Sequence, residues 1–239
     1  MSVTAALKGR WHKGLDKHPT SLTAKTHFDA ILKSAEKIAA AQTELAGDKT
    51  LSDIGRAEKL KAFATSEAAY VAKAARALEF GRGSIRNQRA ALLPTVKDTK
   101  DVVAAMLRRE QREYLRTLSP AEMTAVLADP NTPSILLESI FEAPNLVTNI
   151  PPESKQRLLD QIVERTADPI VQSLREQEEA LGLLETALRV STETVGSAAG
   201  VQPLNFNKWL ATVAPKDSTE VEAEAAEINV RAFWRYAAA

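Results

Sequence analysis

Arginine recurs at positions 108, 109, 112 and 116 in the stretch MLRREQREYLRTLSPAEM, Met106 to Met123. A guanidinium is a planar fork of N–H donors that fits a phosphate or a carboxylate with two parallel hydrogen bonds. On a helix Arg108, Arg112 and Arg116 step by four and share a face. Arg109 stands four residues before Glu113 and predicts an ordinary intrahelical pair worth about 0.3 kcal/mol. The arginine stripe has three readings: a grip on nucleic-acid phosphate, a dock for an acidic protein surface, or a solvated face. Residues 73–116 hold 11 Lys+Arg against 5 Asp+Glu, a moderate excess with no zinc finger, ribonucleoprotein motif or basic zipper to turn it into a nucleic-acid module. A second group with binding chemistry is RAFWRYAAA, where Phe233, Trp234 and Tyr236 are three of the chain's twelve aromatics. Aromatics beside arginine are what interface centres favour. These rings either plug their own core, dock into a neighbouring subunit, or dip into a membrane surface. The acidic turn before them disfavours the last. Arg108, Arg109, Arg112, Arg116, Phe233, Trp234 and Tyr236 are therefore the candidate partner-binding residues.

Catalytic and metal chemistry find less to work with. The three histidines, His12, His18 and His27, match no zinc spacing, and the chain has no cysteine to complete one. They read as surface or cap histidines. A Ser-His-Asp triad is a spatial object and sequence alone does not locate one, but no Gly-x-Ser-x-Gly elbow is present. GRGSIRNQR, from Gly81, lacks the spacing of a phosphate-cradling loop and reads as a basic turn. The carboxylates of REQEE (175–179) and EVEAEAAE (220–227) read as solvated helix faces. The expectation is a protein without enzymatic activity, cofactor, metal or small-molecule substrate.

Helical periodicity must position all of these groups, for strand alternation is almost absent. Thr20, Ser21 or Thr23 can cap a helix whose stripe is Phe28, Ile31, Leu32, Ala35, Ile38, Ala39 and Leu45, with Gly47 as its stop. A second long helix runs from about Ser52 to Phe80 through Ile54, Leu60, Phe63, Tyr70, Val71 and Leu78, and GRGS breaks or kinks it. The arginine helix follows from Asp98, with Val103, Leu107, Tyr114, Leu115 and Leu118 as its buried stripe. Ser119, Pro120 and Glu122 form a capping box, and Thr132-Pro133 opens a short helix carrying Ile135, Leu136, Ile140 and Phe141. Glu142 to Ser154 is a turn-rich connector, and Pro152 opens a helix through Leu158, Leu159, Ile162 and Val163. From Pro169 a long helix to Ser197 sets Leu174, Leu181, Leu188 and Val195 seven apart, with Leu184 on the next row and Gln177 and Ser191 interrupting it. That pattern reads as a packed bundle helix or a subunit-contacting coiled coil. GSAAGVQPLNFN is a loop or linker, and a final helix starts near Ser218.

The fold expected is all-α: a multi-helix bundle with one or two long helices and a proline-punctuated short-helix connector. Composition agrees, with 44% hydrophobic and 26% charged residues. No apolar run is long enough to span a membrane, and MSVTAALKGRWHKG holds no continuous apolar core of a secretion signal. The net charge of zero hides a polarity. Residues 1–118 carry 22 Lys+Arg against 13 Asp+Glu, and 119–239 carry 9 against 18. This divides the chain into a basic helical region 1–118, a connector 119–152 and an acidic helical region 153–239. Opposite signs can neutralise within one chain. They can also meet between chains, and association of that kind weakens as salt rises.

LRREQREYLRTLSPAEMTAVLADPNTPSILLESIFEAPNLVTNIPPESKQRL, residues 107–159, resembles the proline-punctuated helical proteins of tailed-bacteriophage and prophage structural gene clusters. The likeness lies in texture: a charged helix, Ser-Pro-Ala-Glu, short helices ending in Ala-Pro, then Pro-Pro-Glu. It carries over no functional residue. It implies a virion or assembly component that works in many copies, as a homo-oligomer and against other virion proteins, assembled in the host cytoplasm. The alternative reading is a nucleic-acid-associated helical protein using residues 73–116.

Overall fold

The computed structural model describes residues 3–92, 100–129, 131–142 and 169–214. Of these 88% are helical, in eight α-helices and two short 3-10 turns, and none is in a strand. The helices are α1 Val3–Arg10, α2 Pro19–Gly47, α3 Asp53–Ala91, α4 Val102–Thr117, α5 Pro120–Ala128, α6 Ser134–Glu142, α7 Pro169–Ala199 and α8 Phe206–Val213. Short 3-10 turns fill Lys13–Lys17 and Pro203–Asn205. The all-α expectation therefore holds. The expected helix through Leu158 to Val163, the connector beyond Glu142, the final helix from Ser218, and Phe233, Trp234 and Tyr236 lie outside the described residues. No described helix is long and apolar enough to cross a membrane.

Two compact units make up the chain: Met1–Ile85 together with Ser173–Ala239, and Arg86–Gln172. They do not follow the basic and acidic regions. The first unit is assembled from both ends of the sequence, because helices far apart in the chain bury each other's apolar faces. Charge bias along a sequence holds no record of which helices pair.

In the first unit α2 buries Phe28, Ile31, Leu32, Ala35 and Ile38 of the expected stripe and ends at Gly47, while Ala39 is exposed and Leu45 half-buried. Its start is earlier than expected. Pro19 occupies the first turn and His18 the N-cap position, so Thr20, Ser21 and Thr23 lie inside the helix. Proline suits that first turn because it has no N–H to leave unpaired. The helix α3 is a larger correction. It runs unbroken through Gly81 and Gly83, and its buried seam is largely alanine (Ala64, Ala68, Ala72, Ala74, Ala77) beside Val71 and Leu78, while Ile54 and Tyr70 are exposed. Gly81 serves close approach rather than a break. A Cβ there would stand 2.7 Å from Leu181 Cδ2 and 3.3 Å from Thr20 Cγ2, where α2, α3 and α7 meet.

Within this unit α7 buries Leu174, Leu181, Leu184 and Val195, and also Gln177 and Ser191. The two polar residues that interrupt its apolar row are satisfied: Ser191 Oγ donates to the Ile31 carbonyl of α2 at 3.1 Å, and Gln177 Nε2 donates to the Ser173 carbonyl at 3.3 Å. The Ser191 bond to α2 and the buried leucines make α7 a packed helix of its own unit. Its end is a left-handed cap, with Gly200 at φ 69° and the Val201 N–H donating to the Gly196 carbonyl at 2.9 Å. The segment read as a loop is partly helical. Phe206 opens α8 and, with Trp209, packs on Ile38, Ala64, Ala68 and Val195.

The second unit contains α4, α5 and α6. Asp101 caps α4 by accepting from the Ala104 N–H at 3.0 Å. Ser119 and Glu122 form the expected capping box on α5. Before α6, the Pro133 carbonyl accepts the first helical bonds, from Leu136 and Leu137, and the Thr132 hydroxyl donates back to the Val126 carbonyl instead of capping. Leu115, Met123, Leu127, Leu136 and Ile140 form the small core, joined by Leu118, Val126 and Leu137.

Candidate interaction surface

Which way α4 faces is decided by α6. Arg108 is 2% exposed. Its Nε donates to Glu142 Oε2 at 3.0 Å and its Nη2 to Glu142 Oε1 at 3.4 Å, the two-pronged geometry of a guanidinium on a carboxylate. Arg112 Nη1 joins the same carboxylate at 2.7 Å and also donates to the Ser139 carbonyl at 3.3 Å. Two guanidinium groups thus converge on one glutamate. Hydrogen bonds from Arg112 and then Arg108 hold the Glu142 carboxyl below its ordinary range against the opposing effect of burial. Leu115 completes this inward face, fully buried.

The outward face is the reverse of the expectation. Val103 is 68% exposed and Tyr114 48%, and Val102, Met106 and Leu107 are exposed with them. Of the five residues expected to be buried, Leu115 is, Leu118 is half-buried and Val103, Leu107 and Tyr114 are not. The physical reason is that α4 carries two stripes of the same period. One is Arg108, Arg112 and Leu115; the other is Val103, Leu107, Glu110 and Tyr114. Hydrophobicity alone selects the second for burial, but Glu142 makes the first cheaper to bury by satisfying its charges. Sequence reasoning missed Glu142. The available signal was the four-residue spacing of Arg108 and Arg112 ahead of a buried leucine, which leaves both cations needing a shared anion.

The remaining arginines separate from the stripe. Arg116 Nη1 donates to Glu113 Oε1 at 2.9 Å, one turn back. That carboxylate is the one assigned to Arg109 from sequence, so the expected Arg109–Glu113 pair is replaced by Arg116–Glu113. Arg109 is exposed beside the apolar strip, and Glu110 is exposed within it.

One further constellation has the groups of a hydrolytic triad. Ser173 Oγ is 3.1 Å from His18 Nδ1, and His18 Nε2 is 3.1 Å from Glu176 Oε2. The carboxylate accepts from Nε2–H, so in the neutral ring Nδ1 is bare and accepts from the Ser173 hydroxyl, which in turn accepts from Gln177 Nε2 at 3.2 Å. The serine and the carboxylate lie one turn apart on the same helix, and Lys17 Nζ stands 3.8 Å from Glu176 Oε1. The arrangement works as a latch that fastens the first turn of α2 to α7. His12 makes a looser parallel contact, with Nε2 3.5 Å from Glu179 Oε1. Sequence spacing could not bring His18 to Ser173, since 155 positions separate them.

A third polar feature ties α2 to α3. Lys37 Nζ donates to the buried Glu67 Oε1 at 2.8 Å and lies 5.7 Å from the Tyr70 ring centroid. The hydrogen bond to Glu67 raises the Lys37 ammonium above its ordinary pKa. Beside it is an open hollow between Ala40, Glu44, Leu45 and Phe63. No set of three or more His, Cys, Asp or Glu side chains with metal-binding geometry occurs among the described residues. Compared with known proteins, the chain matches no family model, no curated protein and no solved structure.

Proposed function

We propose that this chain is a non-enzymatic structural protein that acts in many copies through helix-mediated contacts, as a component of a tailed-phage particle assembled in the host cytoplasm. The observation that carries the proposal is the outward face of α4, where Val102, Val103, Met106, Leu107 and Tyr114 are exposed together on one helix. Scattered exposed apolar residues are ordinary. A contiguous apolar strip is the signature of a surface made to be covered by protein. The texture of residues 107–159 supplies the phage context. The nucleic-acid alternative is weakened by the same helix, because Arg108 and Arg112 already spend their donors on Glu142 and offer little to a phosphate backbone.

Mass measurement in solution tests the reading, on the chain alone and mixed with the proteins encoded beside its gene. Concentration-dependent assembly, or a stoichiometric complex with such a protein, is expected. Deleting Arg231–Ala239 should weaken that assembly and leave helicity largely intact if the aromatic group docks between subunits. A chain that stays monomeric and ignores every neighbouring gene product, yet retards duplex DNA at low salt, would replace this reading with the nucleic-acid one.

A further inference from the structure

We draw no further inference here: the strongest candidate, the outward apolar face of α4 around Val103, Leu107 and Tyr114, carries nothing beyond the multi-copy reading, because nothing in the structure shows what covers it.

Discussion

At the scale of single residues, Glu142 decides the character of the second unit. It accepts from both Arg108 and Arg112, and Arg108 is buried, so removing the carboxylate leaves a cation with no anion in a place where water reaches poorly. Glu142→Gln keeps the shape and one acceptor oxygen but loses the charge. We expect it to cost about 2 kcal/mol at neutral pH, read as a lower urea midpoint with an unchanged slope. The pH dependence has a definite sign. The folded pKa of Glu142 is depressed by its two arginines, so its contribution is fully present above the unfolded value of about 4.3. It is lost as pH falls below that value and through the depressed folded one. Thermal stability should therefore drop on acidification in this window, and Glu142→Gln should flatten part of that drop. Equal acid sensitivity in the two proteins would show that the carboxylate is not what holds the arginines. The same geometry makes Arg108→Glu a folding lesion, because it buries a second carboxylate beside the first. The arginine cluster was legible in the sequence as chemistry, but its direction was not, because the anion that turns two of its members inward lies 30 and 34 positions away.

Helices were the most legible scale. The α2 stripe, the α5 capping box, and the left-to-right order of long and short helices all follow from periodicity and capping chemistry that act within a few residues. What failed was the meaning of glycine. In GRGS the two glycines look like one breaker, yet within α3 they occupy opposite situations. A Cβ at Gly81 would press on the buried Leu181 at 2.7 Å, whereas one at Gly83 would meet nothing within 4 Å. A helix-interior glycine costs up to about 1 kcal/mol relative to alanine, so Gly83→Ala should stabilise by up to that amount. At Gly81 the same gain is opposed by overpacking, typically about 1–3 kcal/mol, and Gly81→Ala should be destabilising. Chemical denaturation of the two variants side by side checks the difference in sign. If both stabilise, α7 is free to move away from α3 and the close crossing is not a constraint. Two glycines two positions apart look identical to any rule that reads the chain locally; only the helix packed across Gly81 distinguishes them.

At the scale of the whole molecule, the charge polarity that is so visible along the sequence disappears when the chain is grouped as it folds. Met1–Ile85 and Ser173–Ala239 together hold 20 Lys+Arg against 19 Asp+Glu, and Arg86–Gln172 holds 11 against 12. Each unit is neutral to within one charge. The pairs Lys17–Glu176, Arg82–Glu185 and Arg108–Glu142 each join the basic half of the sequence to the acidic half inside a single unit. Association that relies on a basic half meeting an acidic half of the next molecule therefore loses its driving force, and the expectation of steep salt sensitivity must be revised. What remains to drive self-association is apolar area on α4, with exposed charge pairs that set orientation and are worth about 0–1 kcal/mol each. Screening such pairs moves affinity modestly, and excluded salts strengthen apolar burial. We expect the self-association constant to change by less than about tenfold as sodium chloride rises from roughly 0.05 to 0.5 M, because only scattered exposed charge pairs are screened. Sulfate at equal ionic strength should tighten the association. Phosphate-backbone binding would instead collapse by orders of magnitude over the same range. Sedimentation across that salt series separates the two mechanisms. An assembly that dissolves completely between those concentrations would mean that charge, and not the exposed strip of Val103, Met106 and Tyr114, holds the copies together.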